Sequence, residues 1–114
     1  MAGDQELQRL QEEYERLKRS LLSIGYVCPG SIAKRFIRCG KYYCLCGASW
    51  GYPHGPYYEW STKRAGRTIH KRLSLSQAAA IQRHILDDRR LRDIVAAMRR
   101  VSERIVFARV LGGE

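Results

Sequence analysis

Acidic side chains are almost missing from the middle of this 114-residue chain: none stands between Glu15 and Glu59, and none again until Asp87. Paired-carboxylate acid/base catalysis and two-metal phosphoryl transfer therefore lack their parts there. No glycine-rich phosphate loop occurs, and no apolar run approaches the roughly 20 residues that cross a bilayer. The chain opens MAGDQELQRL, without an apolar signal segment. That points to the cytoplasm, a reducing compartment where disulfides rarely persist. Repeats, low-complexity tracts and flexible linkers are missing too, so a single domain over 1–114 is expected. A chain this short buries little core of its own, which favours a metal staple or assembly.

Positive charge, by contrast, is plentiful and concentrated. Residues 1–19 carry a net charge of −1, residues 20–75 of +8 and residues 76–114 of +3, within a total of +10. A basic excess confined to one module is the footprint of a nucleic-acid binder, set against the plainer reading of a solvated surface.

The cysteines are clustered as well. CGKYYCLCGASWGYPH spaces Cys39-x4-Cys44-x-Cys46-x7-His54, and three cysteines with one histidine are what a closed tetrahedral zinc site needs. In an extended segment the thiols of Cys44 and Cys46 would point to the same side. Gly40 allows the turn that brings Cys39 to them. His54, between Pro53 and Gly55-Pro56, stands at a rigid corner that turns its ring back onto the thiolates. An iron–sulfur cluster would need Cys28, eleven residues upstream of Cys39, and His54 fits the fourth place more economically. Cys28 is read as a small buried hydrophobe. With four protein ligands the site has no open position for water or substrate, so the expected role is structural Zn2+ and the protein is not expected to be an enzyme or to take a small-molecule substrate.

Along the chain, Leu7, Leu10, Tyr14, Leu17, Leu21 and Ile24 step by three and four, which predicts a coiled-coil-like assembly helix over 4–24 closed by Gly25. The same stripe would serve equally well against another helix of the same chain. CPGS at 28–31 reads as a turn, and Ser31 to Cys39 as a basic strand. PYYEWST, KRAG and RTIHKRL read as strand, turn and return strand. Tyr57, Glu59 and Ser61 then share one face, and Tyr58, Trp60 and Thr62 the other. His70 is expected to be an ordinary strand residue and His84 to face solvent. Ser74 and Gln77 form a capping box that starts a long helix over 75–110, ended by Gly112-Gly113. Tyr42, Tyr43, Tyr57 and Tyr58 are read as packing or stacking residues, since no constellation accompanies them that would make one a nucleophile.

The stretch from Pro29 to Leu73 resembles a family of small, uncharacterised bacterial proteins. It carries that family's Pro29-Gly30-Ser31, a basic strand from Lys34 to Arg38, Cys39-Gly40, the Cys44-x-Cys46 pair and His54-Gly55-Pro56-Tyr57. The resemblance implies a shared metal-binding core without a settled activity, and Cys28 lies outside the pattern. In architecture, Gly66-Arg67, Lys71-Arg72 and Gln77 to Ala80 are similar to the small sheet-plus-helix modules that bind DNA at the arms of phage integrases.

The expected fold is α+β: a zinc-stabilised antiparallel sheet module over 29–73, flanked by the helices 4–24 and 75–110. The expected function is non-catalytic nucleic-acid binding, with DNA favoured and RNA open, by a homodimer without membrane contact. The expected contacts are Lys34, Arg35, Arg38, Lys41, Lys63, Arg64, Arg67, Lys71 and Arg72, with Trp60, Tyr57 or Tyr58 stacking where they face outward. The alternative is a protein-interaction module of a phage or mobile element that binds a host partner through its helices.

Overall fold

A computed structural model describes residues 2–48 and 51–112. It has a helix α1 (Ala2–Ser20), three strands β1 (Ser31–Ile37), β2 (His54–Arg64) and β3 (Arg67–Leu73), and a helix α2 (Leu75–Leu111). The fold is α+β, with a three-stranded antiparallel sheet ordered β1-β2-β3. Two compact units form, residues 28–85 and residues 1–27 with 86–114, and α2 contributes to both.

In the unit 28–85, β2 is the central strand because it is the longest and pairs on both edges. Its pairing puts Ile32, Tyr58, Trp60, Thr62, Ile69 and Leu73 on one face, together with Lys34 and Lys71. Trp60 is the anchor of that face. It is only 8% exposed, and its indole N–H donates to the Pro29 carbonyl at 2.8 Å. Gly30 adopts φ +102°, and a Cβ there would overlap the Ser61 carbonyl and stand 2.7 Å from Trp60 Nε1. The Pro-Gly-Ser turn is thus the cradle of the tryptophan: one residue supplies an acceptor, the next leaves room, and the third opens β1. Among the described residues, Cys46, Ala78 and Ile85 are the other buried apolar residues of this unit.

The hairpin turn is tighter than KRAG suggests. Arg64 pairs directly with Arg67, which leaves Ala65 and Gly66 as a two-residue loop, both at positive φ (52° and 77°). That is the type I′ geometry whose twist suits adjacent strands.

The start of α2 follows the expected capping box in both directions. The Gln77 N–H donates to Ser74 Oγ at 3.2 Å, and the Ser74 N–H donates to Gln77 Oε1 at 2.9 Å. Each bond satisfies a main-chain donor at the helix start. At the far end the Gly112 N–H donates to the Ala108 carbonyl, while Gly113 lies outside the described residues. His84, expected in solvent, is half-buried, and its carbonyl accepts from the Cys28 N–H at 3.1 Å.

In the other unit, α1 and the segment after it run antiparallel to α2 between Asp87 and Arg104. Glu6 accepts from Arg104 at 2.7 Å, Ser23 from Arg90 at 3.0 Å, and the Asp87 carboxylate from the Gly25 N–H at 3.3 Å. Among the described residues, Leu10 and Val101 are buried in it. The α1 stripe therefore meets a helix of the same chain. Gly25 does not close α1. The helix ends at Ser20, whose hydroxyl donates to the Leu17 carbonyl at 2.7 Å, and one 3₁₀ turn follows over Leu21–Ser23. A serine hydroxyl that competes for main-chain acceptors loosens the ladder before the glycine is reached.

Candidate metal centre and basic sheet

The candidate metal centre lies where β1 ends and β2 begins. Ile37 pairs with His54, so Cys39, two residues beyond, and His54 stand at the same end of the sheet. The pairing slips by one residue between Arg35 and Ile37, with Gly55 and Pro56 of β2 opposite the single residue Phe36. A bulge of this kind bends the strand and re-aims the side chain beside it. Gly55 permits the slip: at φ +136° its missing Cβ would lie 2.8 Å from the Arg35 carbonyl oxygen. His54 is thereby turned onto the cysteine loop.

The loop places the remaining donors by turns rather than by an extended run. The Cys44 N–H closes a turn on the Lys41 carbonyl at 3.0 Å. Cys44 itself is extended, and Cys46 sits inside a 3₁₀ turn, Leu45–Gly47. This corrects the picture of two thiols on one side of an extended segment, although the thiols do converge. Cys39 Sγ stands 3.5 Å from Cys46 Sγ, and Cys44 Sγ 3.1 Å from His54 Nε2. All four donor atoms lie within 4.8 Å of one another. Bonds of about 2.0–2.3 Å to a tetrahedral ion would hold such donors about 3.5–3.8 Å apart. The donor set fits a metal ion.

Its electrostatics fit as well. The Cys39 thiol is lowered to about 6, chiefly by the Lys41 backbone N–H, with help from Cys46, Cys44 and His54. A thiol so lowered is largely thiolate near neutral pH, the form that binds a metal. The Cys39 N–H pulls the Cys46 thiol down, but burial and the neighbouring Cys44 and Cys39 groups push it above its ordinary value. Three thiols this close oppose full ionisation without a cation among them. Cys28 is not part of the group; its thiol lies near the Pro29 carbonyl at 3.5 Å.

The basic residues fall into three sets. Lys34 and Lys71 lie on the Trp60 face of the sheet, while Arg35, Lys63 and Arg72 lie on the opposite face. Arg64 and Arg67 flank the hairpin turn. Arg38 is spent on structure: its guanidinium donates to the Cys46 carbonyl and, at 3.4 Å, to the Ala48 carbonyl, strapping the cysteine loop. Sequence reasoning read Arg38 only as charge, and its place next to Cys39 is the signal that could have shown the strap. Trp60 does not face outward and cannot stack on a base.

On the opposite face Glu59 accepts from Arg35 Nε at 3.3 Å and is 3.2 Å from His70 Nδ1. Arg72 stacks on the Tyr57 ring with its guanidinium carbon 4.4 Å from the ring centre. Lys41 stands 5.8 Å from the centre of the Tyr43 ring. Among the described residues, Lys63, Arg64, Arg67 and Lys71 make no ion pair. No helix of the described residues is long and apolar enough to cross a membrane.

A family model matches residues 4–83, from α1 through the sheet into α2. The chain belongs to the DUF6788 family, a domain of unknown function. The family thus extends beyond the Pro29–Leu73 core to include α1 and the start of α2. Neither the curated proteins nor the solved structures compared with the chain give a match.

Proposed function

We propose that this DUF6788 protein is a non-catalytic, zinc-stabilised nucleic-acid-binding module with duplex DNA as its first ligand. Zinc is the favoured ion because three thiolates with one imidazole in a closed set are typical of its structural sites. The observation that carries nucleic-acid binding is the end of the hairpin. Arg64 and Arg67 are opposed on the last rung, with Lys63 one rung below and no acidic partner near them among the described residues. Like charges directly opposed in a ladder destabilise it. A phosphate between them converts that repulsion into charge-assisted hydrogen bonds.

Arg64→Ala and Arg67→Ala are expected to weaken binding to every duplex sequence by similar factors. Each also flattens the log–log salt dependence by about one unit per lost phosphate contact. Fluorescence anisotropy on random duplexes near physiological salt, with Glu103→Gln as the charge control, reads both effects. Unchanged affinity in both arginine variants would remove the hairpin tip as the contact surface.

A second reading, assembly through the helices, rests on the last turns of α2, where Val106, Phe107, Val110 and Leu111 are all more than half exposed. Apolar side chains spaced so along a helix suit a second copy of the chain. Sedimentation is expected to show a homodimer that Phe107→Asp dissociates. A wild-type monomer at high concentration would leave this surface to another partner.

A further inference from the structure

The loop that holds the metal carries more exposed aromatic surface than its fold needs. Tyr42 is 98% exposed, Tyr52 89% and Tyr43 67%. Aromatic rings left in water give up the large area that burial would return. Three of them on one short loop ask for a ligand. Tyr43 and Tyr52 also line a cleft of about 580 Å³ with Leu45 and the ligands Cys44, Cys46 and His54. That volume lies within the roughly 300–1,000 Å³ of small-molecule sites, enough to receive a planar group.

Charge selects among planar ligands. No acidic residue stands between Glu15 and Glu59, and Lys41 neighbours the tyrosines with its ammonium 5.8 Å from the Tyr43 ring centre. Tyr42 and Tyr43 stand edge to face, their centres 5.4 Å apart and their planes at 87°, so the two rings present differently directed faces. A set of exposed rings beside a cation, on a loop whose sequence has no Asp or Glu, matches a chain of bases joined by phosphates. Duplex DNA cannot use it, because paired bases keep their faces inside the stack.

We propose that Tyr42, Tyr43 and Tyr52 form a stacking platform on the metal knuckle for the bases of a single-stranded nucleic acid, with Lys41 meeting its phosphates. This rests on the nucleic-acid reading above and adds to it a second surface and a second substrate class. A metal held by Cys44 and Cys46 would anchor the loop on either side of Leu45 and keep the platform rigid.

The test measures anisotropy of labelled oligo(dT), oligo(U) and a random duplex against the metal-loaded full chain, with metal content determined for each variant. Tyr42→Ala and Tyr52→Ala are expected to lower single-strand affinity at least about fivefold each, the lower end of what one stacked base contributes. Duplex affinity and the salt slope should stay unchanged, because no ionic contact is lost. Tyr42→Phe and Tyr52→Phe should restore binding, since the ring and not the hydroxyl stacks. The oligo(dT) and oligo(U) arms tell a DNA strand from an RNA strand. Single-strand binding that survives both alanine variants overturns the platform, as does a wild type that binds duplex but neither oligomer. Alanine variants that alter the sedimentation of the free protein and leave its binding intact would make the patch a protein contact, which also overturns it. A wild type that binds no nucleic acid at low salt defeats the proposed function itself.

Discussion

Replacing Cys46 by serine is expected to abolish metal retention and to open the segment between Cys39 and His54 to proteases. Cys46 is the one buried member of the donor set, at 4% exposure, and its sulfur receives the Cys39 N–H at 3.3 Å besides facing the Cys39 thiol. Serine offers a weaker donor at a shorter reach. The effect is large because metal binding and folding are one process in small sites: the apparent free energy of structural zinc is about 10–16 kcal/mol in finger-sized peptides. The unit 28–85 has little to set against such a loss, since among the described residues its buried apolar side chains are Cys46, Trp60, Ala78 and Ile85. Elemental analysis and limited proteolysis of the same preparation check the outcome. Cys28→Ser, outside the donor set, should keep the metal and the protection. The opposite pattern, with Cys28 required and Cys46 dispensable, would refute this ligand assignment.

Gly30→Ala is the second change of large expected effect, although it touches neither the Cys/His donor set nor a charge. An alanine at φ +102° is strained by about 1–2 kcal/mol. Its methyl would also press on the Ser61 carbonyl and on Trp60 Nε1, an overpacking worth about 1–3 kcal/mol more. Moving Trp60 to relieve the clash would break its bond to Pro29. A loss of about 2–5 kcal/mol follows, read as a lower denaturation midpoint and as tryptophan fluorescence shifted toward that of a solvated indole. Stability within about 0.5 kcal/mol of wild type, the usual range of surface substitutions, would show that the cradle is not needed.

These two sites mark how far the sequence could be read. The donor set was legible because ligand chemistry leaves a spacing that few other constraints produce, and Cys39, Cys44, Cys46 and His54 converge as expected. The Ser74–Gln77 capping box was legible for a similar reason, being local and reciprocal. Alternation placed Tyr58 and Trp60 on one face of β2, but it cannot say which face is covered. The basic side chains on both faces hid the answer, and Trp60 was assigned to a ligand when it belongs to the core. The route by which the donors meet was hidden as well. The one-residue slip at Gly55 and the 3₁₀ turn at Leu45–Gly47 depend on main-chain geometry, which residue types foreshadow only as a glycine or a tight spacing. At the end of α1 the Ser20 hydroxyl bonds back to the Arg16 and Leu17 carbonyls, a local feature that no periodicity reports. Arg38 looked like its basic neighbours until its guanidinium was seen on the loop carbonyls.

The central claim is that a metal-pinned basic sheet grips a phosphate backbone. Its most direct test is the equilibrium binding of a random-sequence duplex to the metal-loaded full chain, measured from about 50 to 200 mM salt, where phosphate contacts dominate the response. Saturable binding with log affinity falling linearly against log salt, lost when the metal is chelated, is the predicted result. No binding at the lowest salt, or binding that ignores both salt and metal, would contradict it.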